Sequence, residues 1–236
     1  YTADAFWQPD VFGYSAALPQ ILKKAGVDYF LTTKIAWNDT TRFPYDTFRW
    51  QGIDGTEILS HFNKIHCFPD PKTLIAQWQD VQHKETADRR LSAIGYGDGG
   101  GGPQYEMLEF ARRVQDLEGC PRADYVTVTD FMKGIEAQAK ELPEWVGELY
   151  LELHRGTLTS IAEIKRLNRR GEEALHDAEF LWTLAALSGR RYPATQLRDL
   201  WASFLVNQFH DILPGSSIPE VNDQAIAEMA VTVNVV

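Results

Sequence analysis

The chain has 236 residues, with 23 basic and 33 acidic side chains and a net charge of −10 at pH 7. This length allows one large domain or two of ordinary size, and a hydrophobic fraction of 44% supplies enough apolar side chains for a core, which argues against a disordered chain. The acidic charge argues against nucleic acid or an anionic membrane as the main partner, and two cysteines make neither a disulfide framework nor a four-thiolate metal site.

The first part of the chain alternates strand and helix patterns. Apolar spacing predicts helices over residues 18–25 and 73–84 and a third that begins at Pro103. Apolar or β-branched runs predict strands over residues 29–33, 57–62, 91–96 and 125–129, with Asp130 placed to cap the helix after the last of them. Strand followed by helix, repeated, is typical of parallel strands with helices outside, in a barrel or a doubly wound sheet.

After about residue 142 the pattern becomes helical. Apolar residues step by three or four from Ile161 to Leu181, which predicts a long amphipathic helix, and a second helix is predicted from Leu197 to Leu205. The β-branched run over residues 231–236 suits a helix poorly. We therefore expect an α/β domain over residues 1–142 and an α-helical bundle over residues 143–236.

Asp10 is the first candidate for chemistry. It follows a proline, precedes an apolar pair and a glycine, and lies just before the first predicted helix. In a parallel α/β fold this position is the carboxyl end of a strand, where binding and catalytic side chains gather. The alternative is that Asp10 caps the helix that begins near Ser15.

Asp98 is the second candidate, within a glycine run that directly follows an apolar strand. Glycines permit positive φ angles and let a ligand approach the backbone closely. The run contains no lysine, which argues against a phosphate-binding loop. A functional loop and a flexible linker both remain open, although strand and helix patterns on either side fit a linker poorly.

His210 and Asp211 form the third candidate, at the end of the second predicted helix of the later region. Histidine is the commonest metal ligand, and a carboxylate beside it can orient the ring or bind substrate. A lone histidine is more often structural, and the other histidines have no paired metal-binding spacing. Spacing alone therefore does not assemble a complete metal site.

Four segments together resemble glycoside hydrolase family 38, the α-mannosidases. Residues 7–20 resemble the nucleophile segment of that family, and three further segments follow in the order of the family. The segments are WQPDVFGYSAALPQ (7–20), GDGGGGP (97–103), HRGTLTS (154–160) and QFHDILPGSS (208–217). The resemblance extends from about residue 6 to about residue 222.

The resemblance implies roles for particular residues. Asp10 matches the aspartate that is both nucleophile and zinc ligand, His210 a zinc ligand, and Asp211 a carboxylate that contacts substrate. Asp98 matches the acid/base. The other substrate-binding positions implied by the resemblance are Phe12, as an aromatic wall, and Lys34, as a basic residue near the sugar. A retaining glycosidase of this kind would place its two carboxyl groups about 5–5.5 Å apart.

The chain also departs from the family. Two further zinc ligands of the family come from a His-x-Asp motif upstream of the nucleophile, but this chain contains no His-x-Asp and only nine residues precede Asp10. The C-terminal β region of the family is absent as well. The resemblance therefore implies an internal segment of a larger zinc enzyme, which is expected to be inactive on its own. The expected fold is an incomplete β/α barrel of the glycoside hydrolase and deacetylase type, followed by the helical bundle.

Other functions remain open from the sequence. A metal-dependent sugar deacetylase or amidohydrolase also gathers Asp and His in a barrel, and a non-catalytic carbohydrate-binding segment is a third possibility. The expected partner is an α-mannoside oligosaccharide, with a homo-oligomer left open. No apolar run approaches the roughly 20 residues that span a bilayer, so we expect a cytoplasmic location.

Overall fold

The computed structural model describes residues 3–98, 100–137 and 142–235. The chain divides into two compact units, Tyr1–Leu153 and His154–Val236. Strands Glu144–Val146 and Leu149–Tyr150 both pair with strands of the first unit, so that unit extends beyond residue 142.

The described residues of the first unit form short strands and four α-helices. Its strands are β1 (Ala5–Trp7), β2 (Gly13–Tyr14), β3 (Tyr29–Thr32), β4 (Thr47–Gln51), β5 (Glu57–Phe62), β6 (Lys64–Cys67), β7 (Ser92–Ile94), β8 (Glu144–Val146) and β9 (Leu149–Tyr150). Its helices are α1 (Leu18–Lys24), α2 (Pro71–Gln79), α3 (Tyr105–Val114) and α4 (Val128–Glu136). The strands and helices predicted around β3, β5, β7, α1, α2 and α3 are confirmed, with shifted ends.

The main sheet is mixed, in the order β1-β3-β5-β4-β8. β1, β3 and β5 are parallel, as the alternation of strands and helices predicts. β4 is antiparallel to β5, because residues 52–56 are too few for the crossover that a parallel pair needs. Small sheets β2-β9 and β6-β7 complete the unit. In the described residues the main sheet has two edges, β1 and β8, and closure into a barrel stays a prediction.

The sheet has an apolar core on both faces. Along β3, Phe30 packs in a cluster of aromatic side chains that includes Phe48, Trp50 and Phe62. Tyr29 and Leu31 enter a second cluster that includes three side chains of α4, Phe131, Met132 and Ile135. Successive residues of a strand point to opposite faces of the sheet. Because β3 is buried along its whole length, it contributes side chains to both clusters.

The strand predicted over residues 125–129 is wrong. Helix α4 begins at Val128, and Thr127 rather than Asp130 is its N-cap, since the Thr127 hydroxyl accepts the Asp130 amide at 3.1 Å. The same hydroxyl donates to the Asp130 carboxylate at 2.8 Å. This local capping satisfies helix-end groups, and it outweighs the β preference of the Val and Thr side chains.

The second unit is helical, with α5 (Ala162–Leu187), α6 (Ala194–Val206) and α7 (Pro219–Val235). Glycine at position 171 of α5 lets α6 approach closely, because a Cβ there would lie less than 3.0 Å from the Phe204 ring. The two predicted helices are confirmed. The expectation that residues 231–236 suit a helix poorly is wrong over the described part: Thr232 is buried and Val233 packs against the cluster around Met229, so tertiary packing overrides propensity.

None of the helices in the described residues combines the length and the apolar character that a membrane crossing requires.

A buried histidine joins the sheet to the segment before β7. His61 is fully buried, and its Nε2 accepts the Leu91 amide at 3.2 Å. The neutral ring therefore carries its proton on Nδ1, which donates to the Thr47 hydroxyl at 2.9 Å. Burial, helped by the positive charge of Arg90, lowers the pKa of His61 to about 3.

We predict that His61 makes the first unit sensitive to acid. The unfolded chain takes up a proton near pH 6.5 but the folded chain does so only near pH 3, so stability is lost as the pH falls through this window. The contribution of His61 to the free energy of unfolding should fall by up to about 1.4 kcal/mol per pH unit. Urea unfolding at pH 7, 6, 5 and 4 measures this dependence of the free energy of unfolding on pH.

His61→Gln should lose this slope, whereas His176→Gln, at an exposed position on α5, should keep it. Equal slopes in all three proteins would contradict the prediction.

Candidate functional site

Asp10 lies in the loop after β1, and hydrogen bonds hold this loop against the end of β3. The Gln8 amide donates to the Leu31 carbonyl at 3.2 Å. The Pro9 carbonyl then accepts two amides, from Thr33 at 3.2 Å and from Lys34 at 2.9 Å. Because β1 and β3 are parallel neighbours, these bonds keep Asp10 at the carboxyl edge of the sheet, where α/β proteins bind their ligands.

Asp10, Phe12 and Lys34, each singled out from the sequence, lie in one cluster. The Lys34 ammonium donates to Asp10 Oδ1 at 3.3 Å, and the Lys34 and Asp10 side chains are 12% and 23% exposed. Lys34 Nζ also lies 5.5 Å from the centre of the Phe12 ring and 4.3 Å from that of Trp37. A carboxylate, an ammonium group and aromatic faces together suit a ligand rich in hydroxyl groups.

The alternative role of Asp10 as a helix cap is wrong. The N-cap position of α1 is Ala17, and it makes no side-chain capping bond. The Ser15 hydroxyl accepts the Ala17 amide at 3.2 Å instead. The Asp10 carboxylate is therefore directed to Lys34 and not to the start of α1.

The buried side chain of Tyr14 supports the Asp10 loop through hydrogen bonds. Its hydroxyl donates to the Gln8 carbonyl at 2.5 Å and shares a hydrogen bond of 2.7 Å with the Thr32 hydroxyl. Burial, with a contribution from the Asp10 charge, raises the pKa of Tyr14 above its ordinary value. The phenol therefore stays protonated and able to donate. Sequence reasoning missed this residue, although it belongs to the segment that carries the family resemblance.

Asn63 connects the end of β5 to the same edge, and sequence reasoning missed it too. Its side-chain oxygen accepts the Trp7 indole N–H at 3.0 Å, and its carbonyl accepts the Thr33 hydroxyl at 3.0 Å. Its own amide donates to the Thr32 carbonyl at 3.1 Å. The buried Asn63 thus ties β1, β3 and β5 together at their carboxyl ends. No pattern in the sequence singles out this asparagine.

Asp98 lies in an exposed turn after β7, and its φ angle of 56° is in the left-handed region. Backbone hydrogen bonds of 2.9 Å in both directions between Tyr96 and Gly101 close the turn. Gly99 lies outside the described residues. In the part of the chain that the structure describes, no hydrogen bond or ion pair joins Asp98 to Asp10.

His210 and Asp211 follow α6 in the second unit. The His210 Nε2 atom lies 3.7 Å from Asp211 Oδ2, and the imidazole packs on the Phe209 ring with 4.3 Å between centres. The Asp211 carbonyl accepts the Ser217 hydroxyl at 2.5 Å and the Ser216 hydroxyl at 3.3 Å. These bonds fold the chain around Asp211, whose side chain is 51% exposed.

Lys165 joins two of the segments that carry the family resemblance. Its ammonium donates to the Ser160 carbonyl at 2.5 Å and to the Leu213 carbonyl at 3.0 Å. Partial burial lowers the pKa of Lys165. Gly215 approaches the same turn so closely that a Cβ there would lie 2.7 Å from the Ser160 carbonyl oxygen. The loop that carries His210 and Asp211 is therefore packed against the start of α5.

The candidate metal ligands predicted from the sequence form an incomplete set. Asp10 and His210 are of the donor types that zinc takes in proteins, and a zinc site uses three or four protein ligands. Among the described residues, no group of three or more His, Cys, Asp and Glu side chains is placed to hold a metal ion. The described part of the chain therefore does not fit a complete zinc site.

Comparisons with known proteins agree over most of the chain. Residues 1–148 match the family model described as glycosyl hydrolases family 38 N-terminal domain, and residues 152–235 match the alpha mannosidase middle domain. Alpha-mannosidase 2C1 of Homo sapiens is 41% identical over 94% of this chain and 22% of its own length. The alpha-mannosidase of Saccharomyces cerevisiae is 40% identical over 92% of this chain and 21% of its own length.

A solved structure is similar in fold. The crystal structure of an alpha-mannosidase from Enterococcus faecalis matches with a TM-score of 0.74 at 20% identity, over 100% of this chain and 28% of that chain. The present chain thus spans about a fifth of the length of the curated relatives that it matches.

We predict that Tyr14→Phe destabilises the first unit by about 1–3 kcal/mol, because the Gln8 carbonyl and the buried Thr32 hydroxyl each lose a partner. Urea unfolding of the two proteins measures the difference. Tyr150→Phe is the matched control: Tyr150 is 46% exposed, and its loss of a hydroxyl should cost less than about 0.5 kcal/mol. Equal effects of the two substitutions would show that the Tyr14 hydroxyl does not hold the Asp10 loop.

We predict that Gly215→Ala destabilises the second unit by about 1–3 kcal/mol more than Gly189→Ala does. Both glycines have left-handed φ angles, 74° and 87°, so both substitutions carry the same conformational cost. Only the Cβ at position 215 would also collide with the Ser160 carbonyl, since nothing lies within 4 Å of a Cβ at position 189. Thermal unfolding of the two variants tests this, and equal melting temperatures would contradict it.

Proposed function

Because the chain belongs to glycosyl hydrolase family 38, we propose that it forms part of an α-mannosidase, a retaining glycoside hydrolase that cleaves terminal α-linked mannose. The relatives at about 40% identity that are named alpha-mannosidase support this activity. The observation that carries the proposal is the partly buried Asp10 carboxylate at the carboxyl edge of the sheet, with Lys34 and aromatic rings around it.

In the proposed reaction Asp10 attacks the anomeric carbon of the mannoside. The bond from that carbon to the leaving oxygen breaks, and Asp98 gives its proton to the leaving oxygen. A covalent glycosyl–Asp10 ester results. Asp98, now a carboxylate, takes a proton from water as the water attacks the same carbon, which releases mannose and regenerates both side chains. Two displacements at one carbon retain its configuration.

Lys34 and the aromatic residues would orient Asp10 and the sugar. The Lys34 ammonium contacts Asp10 Oδ1, so we assign Oδ2 as the attacking oxygen. A lysine 12% exposed within reach of the site can also donate to a sugar hydroxyl. Phe12, near the Lys34 ammonium, would then form an apolar wall for one face of the ring.

We propose further that Asp10 and His210 are zinc ligands and that Asp211 contacts the substrate. Zinc bound to sugar hydroxyls would orient the substrate and stabilise developing charge. The proposal is supported by the donor types of these residues and by the segments in which they lie. The missing ligands would have to come from beyond the described residues, and the chain spans only about a fifth of its relatives. A cytoplasmic location and a homo-oligomeric state stay predictions.

We predict that a fluorinated mannosyl substrate, used on the full-length protein that contains this chain, labels Asp10. The fluorine slows hydrolysis of the ester, so the intermediate accumulates and peptide mass spectrometry locates it. Asp10→Asn should abolish labelling and lower kcat/KM for an aryl α-mannoside by roughly 10⁴-fold or more. Asp28→Asn is the control, because Asp28 is 56% exposed and pairs with Lys23 away from the loop.

Label on another carboxylate would overturn the assignment of Asp10. Hydrolysis of acetylated sugars without hydrolysis of α-mannosides would favour a metal-dependent deacetylase or amidohydrolase. Binding of mannosides with no turnover by the full-length protein would indicate a carbohydrate-binding function instead.

A further inference from the structure

His66 and Asp98 both have left-handed backbone angles, and the His66 ring lies beside the turn that contains Asp98. His66 in β6 has a φ angle of 57°, and Asp98 has a φ angle of 56°. Side chains other than glycine rarely adopt these angles, which persist where the surroundings hold them. Asp98 is exposed, so burial does little to hold its conformation. The contacts of the turn must therefore do so.

The backbone of β6 is irregular where His66 lies. β6 pairs with β7 through Lys64 with Ser92 and through Cys67 with Ile94, so β6 carries one more residue between these pairs than β7 does. Such a bulge turns a side chain in a direction that a regular strand would not allow. The bulge together with the left-handed φ angle thus sets the direction of the His66 side chain.

The His66 ring lies against Gly97, the residue before Asp98. A Cβ on Gly97 would be less than 3.0 Å from three atoms of the imidazole, Cε1, Nε2 and Nδ1. The φ angle of Gly97 itself is outside the left-handed region. A Cβ at position 97 would therefore disturb the contact with the His66 ring, and not the backbone conformation of residue 97 itself.

The turn is held at its base as well. Tyr96 and Gly101 exchange two backbone hydrogen bonds of 2.9 Å, and the Gly95 amide donates to the Cys67 carbonyl at 3.4 Å. These bonds fix where the turn leaves β7 and attach it to β6. These bonds do not involve residues 97 and 98, so among the contacts of the described residues that with the His66 ring is the restraint nearest to the Asp98 carboxylate.

We propose that His66 is a positioning residue for Asp98: its ring holds Gly97, and thereby the turn, so that the carboxyl group can protonate the leaving oxygen. This inference rests on the acid/base role proposed for Asp98. A displacement of a catalytic group by about 1 Å can lower its rate contribution by roughly 100-fold. The rate should therefore decrease for substrates whose leaving group needs the proton, and it should change little for substrates whose leaving group departs as an anion.

The test uses kcat/KM of the full-length protein for two substrates, methyl α-mannoside and 2,4-dinitrophenyl α-mannoside. Methoxide needs a proton to leave and dinitrophenolate does not. Gly97→Ala should lower kcat/KM for the methyl glycoside roughly 10- to 100-fold and change the dinitrophenyl value less than about threefold. Gly102→Ala is the matched control in the same loop, because nothing lies within 4 Å of a Cβ there, and it should affect neither value.

His66→Asn removes the ring and keeps a residue that tolerates left-handed angles. It should lower kcat/KM for the methyl glycoside selectively, by roughly 10-fold. In the double variant His66→Asn with Gly97→Ala, the added Cβ has room. Its kcat/KM for the methyl glycoside should therefore be less than about twofold below that of His66→Asn alone. If Gly97→Ala fails to fold, His66→Asn carries the test, because it creates no overlap.

Asp98→Asn separates the two proposals. A selective loss on the methyl glycoside supports Asp98 as the acid. Suppose that this loss occurs, but His66→Asn and Gly97→Ala lower kcat/KM equally for the two substrates, or leave both values unchanged, or have effects that add independently in the double variant. Each of these results overturns the positioning role of His66 and leaves the acid/base role of Asp98 in place. If Asp98→Asn shows no selective loss, the acid/base role fails, and the inference about His66 fails with it.

Discussion

The candidate site depends on one backbone carbonyl. The Pro9 oxygen accepts the amides of both Thr33 and Lys34, and this pair of bonds locks the loop after β1 onto the turn after β3. Asp10 is the next residue on one side of this junction and Lys34 is on the other, so the ion pair between them follows from the backbone bonds. Proline donates no hydrogen bond, but the carbonyl oxygen of Pro9 accepts both of these amides. The parallel pairing of β1 and β3 brings the two loops together in the first place.

Polar side chains hold the loops of both units. In the first unit, polar side chains such as Tyr14 and Asn63 bridge loops at the end of a sheet that has an aromatic core. In the second unit, an ammonium group does the corresponding work, since Lys165 donates to the carbonyls of Ser160 and Leu213. Short strands leave the first unit few backbone bonds per strand, so its loops contribute much of the polar network. Long helices satisfy most of their own backbone groups, so the side chains that bond to loop carbonyls in the second unit lie at or near helix ends, as Lys165, Ser217 and Asn222 do.

Sequence patterns predicted most of the long, regular elements and missed several of the short ones. Apolar residues spaced over many turns identify α5 and α6, and compact apolar runs identify β3 and β5. Strands such as β2 and β9 have two residues each and exist because they pair with one another, which no local pattern can reveal. The strand predicted at 125–129 failed because a single threonine cap decided the local structure. For the site, resemblance identified Asp10, Phe12 and Lys34, but the partners Tyr14 and Asn63 have no motif of their own.

The sequence by itself determined the family, the order of its four segments and the residue types available for chemistry. These properties follow from the order of the residues alone, because side-chain chemistry and helix periodicity are local. The tertiary structure decided which of these residues meet: Lys34 reaches Asp10, Asn63 joins three strand ends, and the His66 ring lies against the glycine beside Asp98. These contacts join residues 24 to more than 50 positions apart, and strand register and backbone angles such as those of His66 and Asp98 set them. Register and such angles arise from packing of the whole unit, so they are settled only when the chain has folded.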